Sequence, residues 1–553
     1  MHTDPAAIRD DFPILERTVD GAPLVYLDNA ATTQTPTPVY DVFREYYEHT
    51  NANVHRGIHE LSHEASVAYE AAHERIADFI GASGGLGEIV FTKNATEAVN
   101  LVAYGYGMAT FEPGDNVVVT EMEHHASLVT WQQVAKQTGA EIRYVRVDDD
   151  GHLDMDHAAE LIDDDTAMVS VVHVSNVLGT INPVREIAAI AHDHGSLFFV
   201  DGAQSVPNRP VDVEALGADF LGFSGHKMAG PTGIGVLYGR RHLLETLEPF
   251  HYGGEMIRHV TFETSTWNEP PWKFEAGTPP IAEGIALGAA ADYLDAIGME
   301  AIAAHENELA QYALDRLGAR DDVAVYGVPA GEERTGLVSF NVDGVHGHDL
   351  SSLLNDRGIA VRAGDHCTQP LHDSLEIPGS VRASFYLYTT RAEVDALVDA
   401  LENPRERRDA FVASDRFHDR FADHYGDPRN AGTLADPTFT KHSAETSCGD
   451  DGEFFVRVED GVVEAIGFES ESCAVSTAVA SMIAEALRGE PIEAALDAET
   501  IVEDLVGDAY PDLRRDCVRG PASVIQSAAR DHLDGGDSAA VQLTDTPSVG
   551  QTD

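Results

Sequence analysis

Up to about residue 400, short runs of β-branched and aromatic residues alternate with longer stretches in which apolar positions recur at helical spacing. GEIVFT (87–92), DNVVVT (115–120), EIRYVRV (141–147), AMVSVVHV (167–174), SLFFVD (196–201) and DFLGFS (219–224) read as strands. Segments such as NATEAVNLVAYGYGMA and VREIAAIAHDHG lie between them and read as amphipathic helices. Strand–helix alternation of this kind predicts an α/β unit with a mostly parallel sheet, helices on both faces, and ligands bound beyond the carboxyl ends of the strands.

From about 282 to 402 the rhythm changes to strand (GLVSFNVDG), helix (HDLSSLLNDRG), strand (VRASFYLY) and helix (RAEVDALVDALEN), a smaller α+β lobe. Pro404 and the charged RERRD mark a boundary. The pattern divides the chain into residues 1–405, a linker at 406–415, a second small α+β unit at 416–533 and a disordered tail at 534–553. In the second unit a helix (RFHDRFADHYG) is followed by a loop rich in turn residues (NAGTLADPTFTKHSAETS), two short strands (EFFVRVED and VVEAIGFES) and a helix rich in Ala and Ser.

Charge then narrows the function classes. Acidic residues number 94 against 36 basic ones, a formal net charge of -58, and the acids are dispersed rather than blocked. Such a surface stays soluble at high ionic strength, where salt screens self-repulsion, and reads as halophilic. No basic stripe exists to neutralise phosphates, which argues against nucleic-acid binding. No signal-like segment and no apolar run of bilayer length is visible, so a cytoplasmic protein without membrane contact is expected.

Polar residues gather where strands end. FVDGAQSV puts Asp201 at one strand end, and GFSGHKMAGPTGIGVLYG puts Ser224, His226 and Lys227 at the next, ahead of glycines that permit close backbone approach. A lysine in such a turn can hold an aldehyde cofactor as a Schiff base, while a nearby aspartate keeps a pyridinium nitrogen protonated. A phosphate-binding turn or a plain loop is the alternative reading of SGHK. Only Lys93, Lys136, Lys273 and Lys441 compete with Lys227.

YLDNAATTQTP, FTKNATEAVNLVA, EMEHHASLVTWQ, HVSNVLGTINPV, VDGAQSV, FSGHKMAGPTGIGVLYG, FEAGTPP and VRAGDHCTQP together resemble the SUF-system cysteine desulfurases, from about residue 10 to 402. These are fold-type-I pyridoxal-phosphate enzymes of the class V aminotransferase superfamily, and the resemblance implies that fold here, with L-cysteine as substrate. It implies that Lys227 binds pyridoxal 5'-phosphate and shuttles a proton, Asp201 pairs with the pyridine nitrogen and His124 stacks on the ring. Asn176 and Gln204 would lie on the phenolic-oxygen side, and Thr96, Ser224 and His226 would bind the phosphate. Thr278 would reach the phosphate in a partner subunit, which implies a homodimer. Arg382 would clamp the substrate carboxylate, a task suited to the planar guanidinium, with Arg362 and Asn29 helping to orient the substrate.

Cys367 is then the expected nucleophile, taking the substrate sulfur as a persulfide and leaving alanine. Gly364 and Pro370 bracket its loop, and Arg362 and His366 are positioned in sequence to favour the thiolate. Where the resembled family has His-His before the cysteine, this chain has Asp365 and His366, and a carboxylate so close disfavours the thiolate. A lyase acting on selenocysteine, in which the thiol matters less, is a further alternative.

The remaining cysteines, Cys448, Cys473 and Cys517, with Asp450, form a donor set that suits a four-coordinate zinc ion. HYGDPRN, SCGD, ESCAVSTAVASMIAEAL and the late Cys517 resemble the SufU/IscU family over about 416–533. SufU-type members hold zinc through Cys, Asp, Cys and Cys and receive persulfide sulfur, whereas IscU-type members assemble iron–sulfur clusters. Asp516, where IscU has a histidine, leans toward SufU, while the short Cys473–Cys517 interval leans toward IscU. By the same resemblance His348 would displace one cysteine at zinc and free Cys448 to accept sulfur. Iron–sulfur scaffold proteins are the expected downstream acceptors.

Overall fold

The computed structural model describes residues 5–445 and 450–534. Its largest sheet has seven strands: β1 (Ile89–Thr92), β2 (Asn116–Thr120), β3 (Glu141–Val145), β4 (Thr166–Val172), β5 (Leu197–Asp201), β6 (Phe220–Ser224) and β7 (Gly235–Gly239). Their order is β1-β7-β6-β5-β4-β2-β3. β7 runs antiparallel to both neighbours, and the other pairs are parallel. Successive residues of a strand face opposite sides, so Val118 enters one hydrophobic core while Val117 and Val119 enter the other. With helices on both sides, the central strands must be apolar throughout.

β7 lies in the stretch read from sequence as a glycine-rich turn. Its Val-Leu-Tyr run is flanked by glycines, and Gly235 is required there because a Cβ would stand 2.4 Å from the Asn94 Cα. This strand pins the turn after β6 against the start of helix α1 (Ala95–Val102). Helix α2 (His125–Thr138) follows β2 across one face.

The smaller lobe is an antiparallel sheet of β8 (Val323–Tyr326), β9 (Leu337–Val342), β10 (Arg362–Gly364) and β11 (Ser380–Ser384), in the order β8-β9-β11-β10. Helices α3 (Met299–Gly318), α4 (Gly347–Asn355) and α5 (Arg391–Ala400) cover it through Leu309, Leu317, Leu350, Leu354, Val394 and Leu397. A capping box between Thr390 and Glu393 starts α5.

The expected linker at 406–415 begins as a helix, α6 (Pro404–Val412), with Pro404 at a position where a missing N–H costs nothing. The last unit is an antiparallel meander, β12 (Phe439–Glu445), β13 (Asp450–Glu459) and β14 (Val462–Glu471), packed on α7 (Asp419–Gly426), α8 (Ala474–Leu487) and α9 (Arg515–Leu533). β12 corrects the loop expected at 430–447, since pairing with β13 along its whole length outweighs the turn-rich composition around it. Cys448 and the tail from 535 onward lie outside the described residues. No helix among the described residues is long and apolar enough to cross a membrane.

Candidate active site

The parallel strands of the large sheet end along one edge, and a cleft of about 200 Å³ opens there. Thr96, His124, Asn176, Asp201, Gln204, Ser224, His226, Lys227, Arg362, Cys367 and Arg382 all line it. Lys227 is half-buried, and desolvation of its amine lowers it to about 8; Arg382 and Arg362 push the same way against Asp201. Asp201, also buried and pushed up by burial, accepts the Ala203 N–H at 2.9 Å. His124 caps α2, its Nδ1 accepting the Ala126 N–H at 3.0 Å, and burial and then Lys227 hold it uncharged, near 3. Thr96 stands in the first turn of α1, where Asn94 caps Glu97 and Ser224 Oγ accepts the Ala95 N–H at 2.9 Å. His226 is likewise depressed to about 4 by burial and Lys227.

The donor set fits pyridoxal phosphate. A half-buried amine and a buried carboxylate line the same cleft, an uncharged imidazole lies in its wall, and a helix N-terminus with two hydroxyls suits a phosphate. The Asn176 Oδ1 is buried without a partner among the described residues, an acceptor aimed at nothing in the fold.

Arg382 is buried in β11, where its Nη1 donates to the Asn176 carbonyl at 3.0 Å and its Nη2 to Asp28 Oδ1 at 3.3 Å. Burial lowers it to about 10, and its Nε has no partner among the described residues. Arg362 Nε lies 3.4 Å from the other Asp28 oxygen, so one carboxylate holds both guanidiniums. Asn29 is not brought into the cleft wall. Its amide nitrogen donates to the Tyr26 and Ser384 carbonyls at 3.2 and 2.6 Å, and its oxygen accepts the Tyr388 hydroxyl. Gln204 Nε2 donates to the Ala30 carbonyl at 2.6 Å. Thr278 is exposed and lies outside the cleft of its own chain.

Cys367 sits on a strained loop in which both His366 and Cys367 have left-handed φ, +53° and +59°. The conformation is held from several sides. Cys367 N–H donates to Asp365 Oδ1 at 2.9 Å, and the Thr368 hydroxyl to the Asp365 carbonyl at 2.7 Å. Asn176 Nδ2 donates to the His366 carbonyl at 2.9 Å, His125 N–H to the Cys367 carbonyl at 2.7 Å, and Gln369 N–H to His125 Nε2 at 3.0 Å. Burial and then Asp365 raise the thiol above its ordinary value, opposed by Arg362, Lys227 and Arg382. His366 does not favour the thiolate as expected. It is buried, which drives it well below the usual histidine range, and its Nε2 lies 3.1 Å from Ser380 Oγ.

A second cluster forms where α4 meets the last unit. The ligand atoms of His348, Cys473 and Cys517 lie within 4.8 Å of one another, with His348 Nδ1 3.3 Å from Cys517 Sγ. Asp450 Oδ1 accepts the Cys473 N–H at 2.8 Å, while Ser476 Oγ donates to Asp450 Oδ2. Cys473 is the N-cap of α8 and Cys517 lies in the first turn of α9. Burial pushes the Cys473 thiol up. The hydrogen bond from Cys473, then His348 and Arg514, pull Cys517 down. Two thiols, an imidazole and an adjacent carboxylate match the soft, four-coordinate preference of zinc. Sequence reasoning missed Asp28, His125, Asp349, Ser476 and Arg514. Asp28, His125 and Asp349 stand directly beside residues it chose, and Arg514 lies three before Cys517, but no local pattern distinguishes them.

The class V aminotransferase family matches residues 25–397, and the NifU-like N-terminal domain family matches 416–535. The cysteine desulfurase of Haloferax volcanii is 66% identical over 415 residues, covering 73% of this chain and 97% of the relative. The probable cysteine desulfurase of Halobacterium salinarum is 65% identical over 404 residues, covering 73% and 97%. Among solved structures, the apo cysteine desulfurase of Thermococcus onnurineus superposes with TM-score 0.69 at 43% identity, covering 72% of this chain and 97% of that one. An S-sulfonic acid form of an Escherichia coli cysteine desulfurase gives TM-score 0.67 at 38% identity, covering 73% and 99%. The cleft residues and these similarities agree: the chain belongs to the class V aminotransferase family, among its cysteine desulfurases, and carries a NifU-like N-terminal domain at its C-terminal end.

Proposed function

We propose that this chain converts L-cysteine to L-alanine, holds the sulfur as a persulfide on Cys367 and passes it to a thiol of its own NifU-like domain. The observation that carries the first step is the shared cleft: Lys227, Asp201, His124 and Cys367 line one cavity with two arginines. Bound pyridoxal phosphate supplies the sink for the electrons released at the substrate Cα. Arg382 receives the substrate carboxylate on its unpartnered Nε side, and Asp28 keeps Arg382 and Arg362 oriented. Lys227, its amine lowered to about 8 by desolvation, moves the Cα proton. Cys367 as thiolate bonds to the substrate sulfur while the carbon–sulfur bond breaks, and its electrons, with a proton, end on the methyl group of alanine.

For the second step, Cys448 is the accepting thiol, and Asp450, Cys473, Cys517 and His348 would hold zinc. The 3.3 Å approach of His348 to Cys517 supports this reading. The accepting thiolate bonds to the terminal sulfur of the persulfide, and Cys367 leaves as thiolate, so no oxidant is needed. The sulfur then goes to iron–sulfur scaffold proteins, in the cytoplasm, from a homodimer in which exposed Thr278 reaches the partner's phosphate.

Purified enzyme with L-cysteine and dithiothreitol should release alanine and sulfide, and Lys227→Ala and Cys367→Ala should both abolish this. Alanine formed at full rate without Cys367 refutes the persulfide route. His348→Ala should leave alanine release intact and lower sulfur labelling of Cys448. The NifU-like match favours a second reading, a cluster scaffold. One zinc per chain with no cluster chromophore after anaerobic addition of iron and cysteine excludes it.

A further inference from the structure

Two features set how the NifU-like domain meets the desulfurase unit. The first is the connector. Arg405 Nε donates to the Asp343 carbonyl at 2.8 Å, Arg408 donates to the Gly344 carbonyl, and Arg407 Nη2 to the Leu353 carbonyl at 3.1 Å. Arg416, just beyond α6, pairs with Asp356 at 2.7 Å. The connector is therefore fastened at both ends of α4, the helix that carries His348. Leu353 of α4 is itself part of the NifU-like domain's hydrophobic core, with Phe411, Phe417 and Phe421. A segment used in this way has no slack to swing its domain elsewhere.

The second feature is a buried clasp. Asp349, the residue after His348, accepts from Arg514 Nη2 at 2.9 Å through one oxygen and from the Ala474 N–H at 2.8 Å through the other. Their side chains are 2% and 1% exposed. Arg514 also donates to the His348 carbonyl at 3.3 Å. One carboxylate of the desulfurase unit thus holds the first turn of α8, which Cys473 caps, and the arginine one turn before Cys517. Truncating either partner of such a pair leaves a buried charge without compensation.

We infer that sulfur passes in cis, from Cys367 to the NifU-like domain of the same chain, and that Asp349 is the positioning residue that seats this domain through Arg514. The inference rests on the sulfur-relay reading above. The α4 N-terminus also adjoins the Cys367 loop within one chain. A Cβ at Gly347 would come within 3.3 Å of Val381 and 3.6 Å of Ala363 of β10, which leads into that loop, and a cavity of about 250 Å³ is lined by His346, Gly347, Gly364 and Ser380.

The test uses full-length chains and radiosulfur-labelled cysteine, with the persulfide on each chain resolved by a mass tag. Chains carrying Lys227→Ala, which make no persulfide, are co-refolded with chains whose C-terminal cysteines are all Ser, which make it but cannot accept it. Transfer in cis leaves the C-terminal cysteines of the Lys227→Ala chain unlabelled. Labelling them as strongly as wild type overturns the cis route. Separately, Asp349→Ala should lower labelling of the NifU-like domain roughly tenfold or more, with alanine release in dithiothreitol unchanged. Asp349→Ala with Arg514→Ala should be no worse than either alone, since both remove one contact, whereas unrelated destabilisations add. Equal labelling of Asp349→Ala and wild type refutes the clasp. A wild-type chain whose NifU-like domain never takes label refutes the relay itself, a different outcome from both.

Discussion

Asp365→Asn tests how this chain tunes Cys367, the proposed nucleophile. The substitution removes one negative charge beside Cys367 but keeps the oxygen that accepts the Cys367 N–H, so the strained loop retains its support. Asp365 follows burial as the second cause raising the thiol. Cys367 is exposed, so water screens the pair: two unit charges within the usual range of a neighbouring ion pair, at an effective dielectric of about 40 to 80, interact by about 0.7 to 1.4 kcal/mol, or about half to one pH unit. The sign follows directly: losing a neighbouring carboxylate favours the thiolate, so the thiol pKa falls and reactivity persists to lower pH. Alkylation of Cys367 by iodoacetamide, followed by mass spectrometry from about pH 6 to about pH 10, reads the midpoint. It should move down by about half to one unit in Asp365→Asn. An unchanged or raised midpoint refutes the assignment of Asp365 as an electrostatic brake. Asp365→Ala adds a control, because it also removes the N–H acceptor: alkylation should quicken while alanine release falls.

His125→Ala should lower alanine release about tenfold with cofactor absorbance retained, because the Gln369 N–H loses its acceptor, a cost of about 1–3 kcal/mol; a steady-state assay that finds the wild-type rate contradicts the latch. Gly235→Ala should weaken pyridoxal-phosphate binding about tenfold or more in equilibrium dialysis, since the new Cβ displaces the backbone of Asn94, the cap of α1, whose first turn lines the cleft. With a net charge of -58, the melting temperature should fall as salt is lowered from about 2 M to about 0.1 M, where the screening length grows to about 10 Å; calorimetry showing no salt dependence would count against a halophilic surface.

All six strands expected in the large unit form, as do the helices of the small lobe. Lys227, Asp201 and Cys367 were visible as residues because each stands at a strand end or in a bracketed polar loop, features that need only a short window of sequence. Those elements depend on neighbours two to four positions away, and so does the pattern that reports them. What escaped that window depended on partners outside it. β12 forms because β13 pairs with it, and the connector is a helix because its arginines find carbonyls at the ends of α4. Asp28 holds Arg382 across 354 positions, His125 holds the Cys367 loop across 244, and Asp349 meets α8 across 125. Local sequence was enough for the elements, the acidic composition and the reactive residue types. Strand order, crossovers and the docking of the last domain decided which charges face which thiols, because only those bring such distant groups within hydrogen-bonding reach.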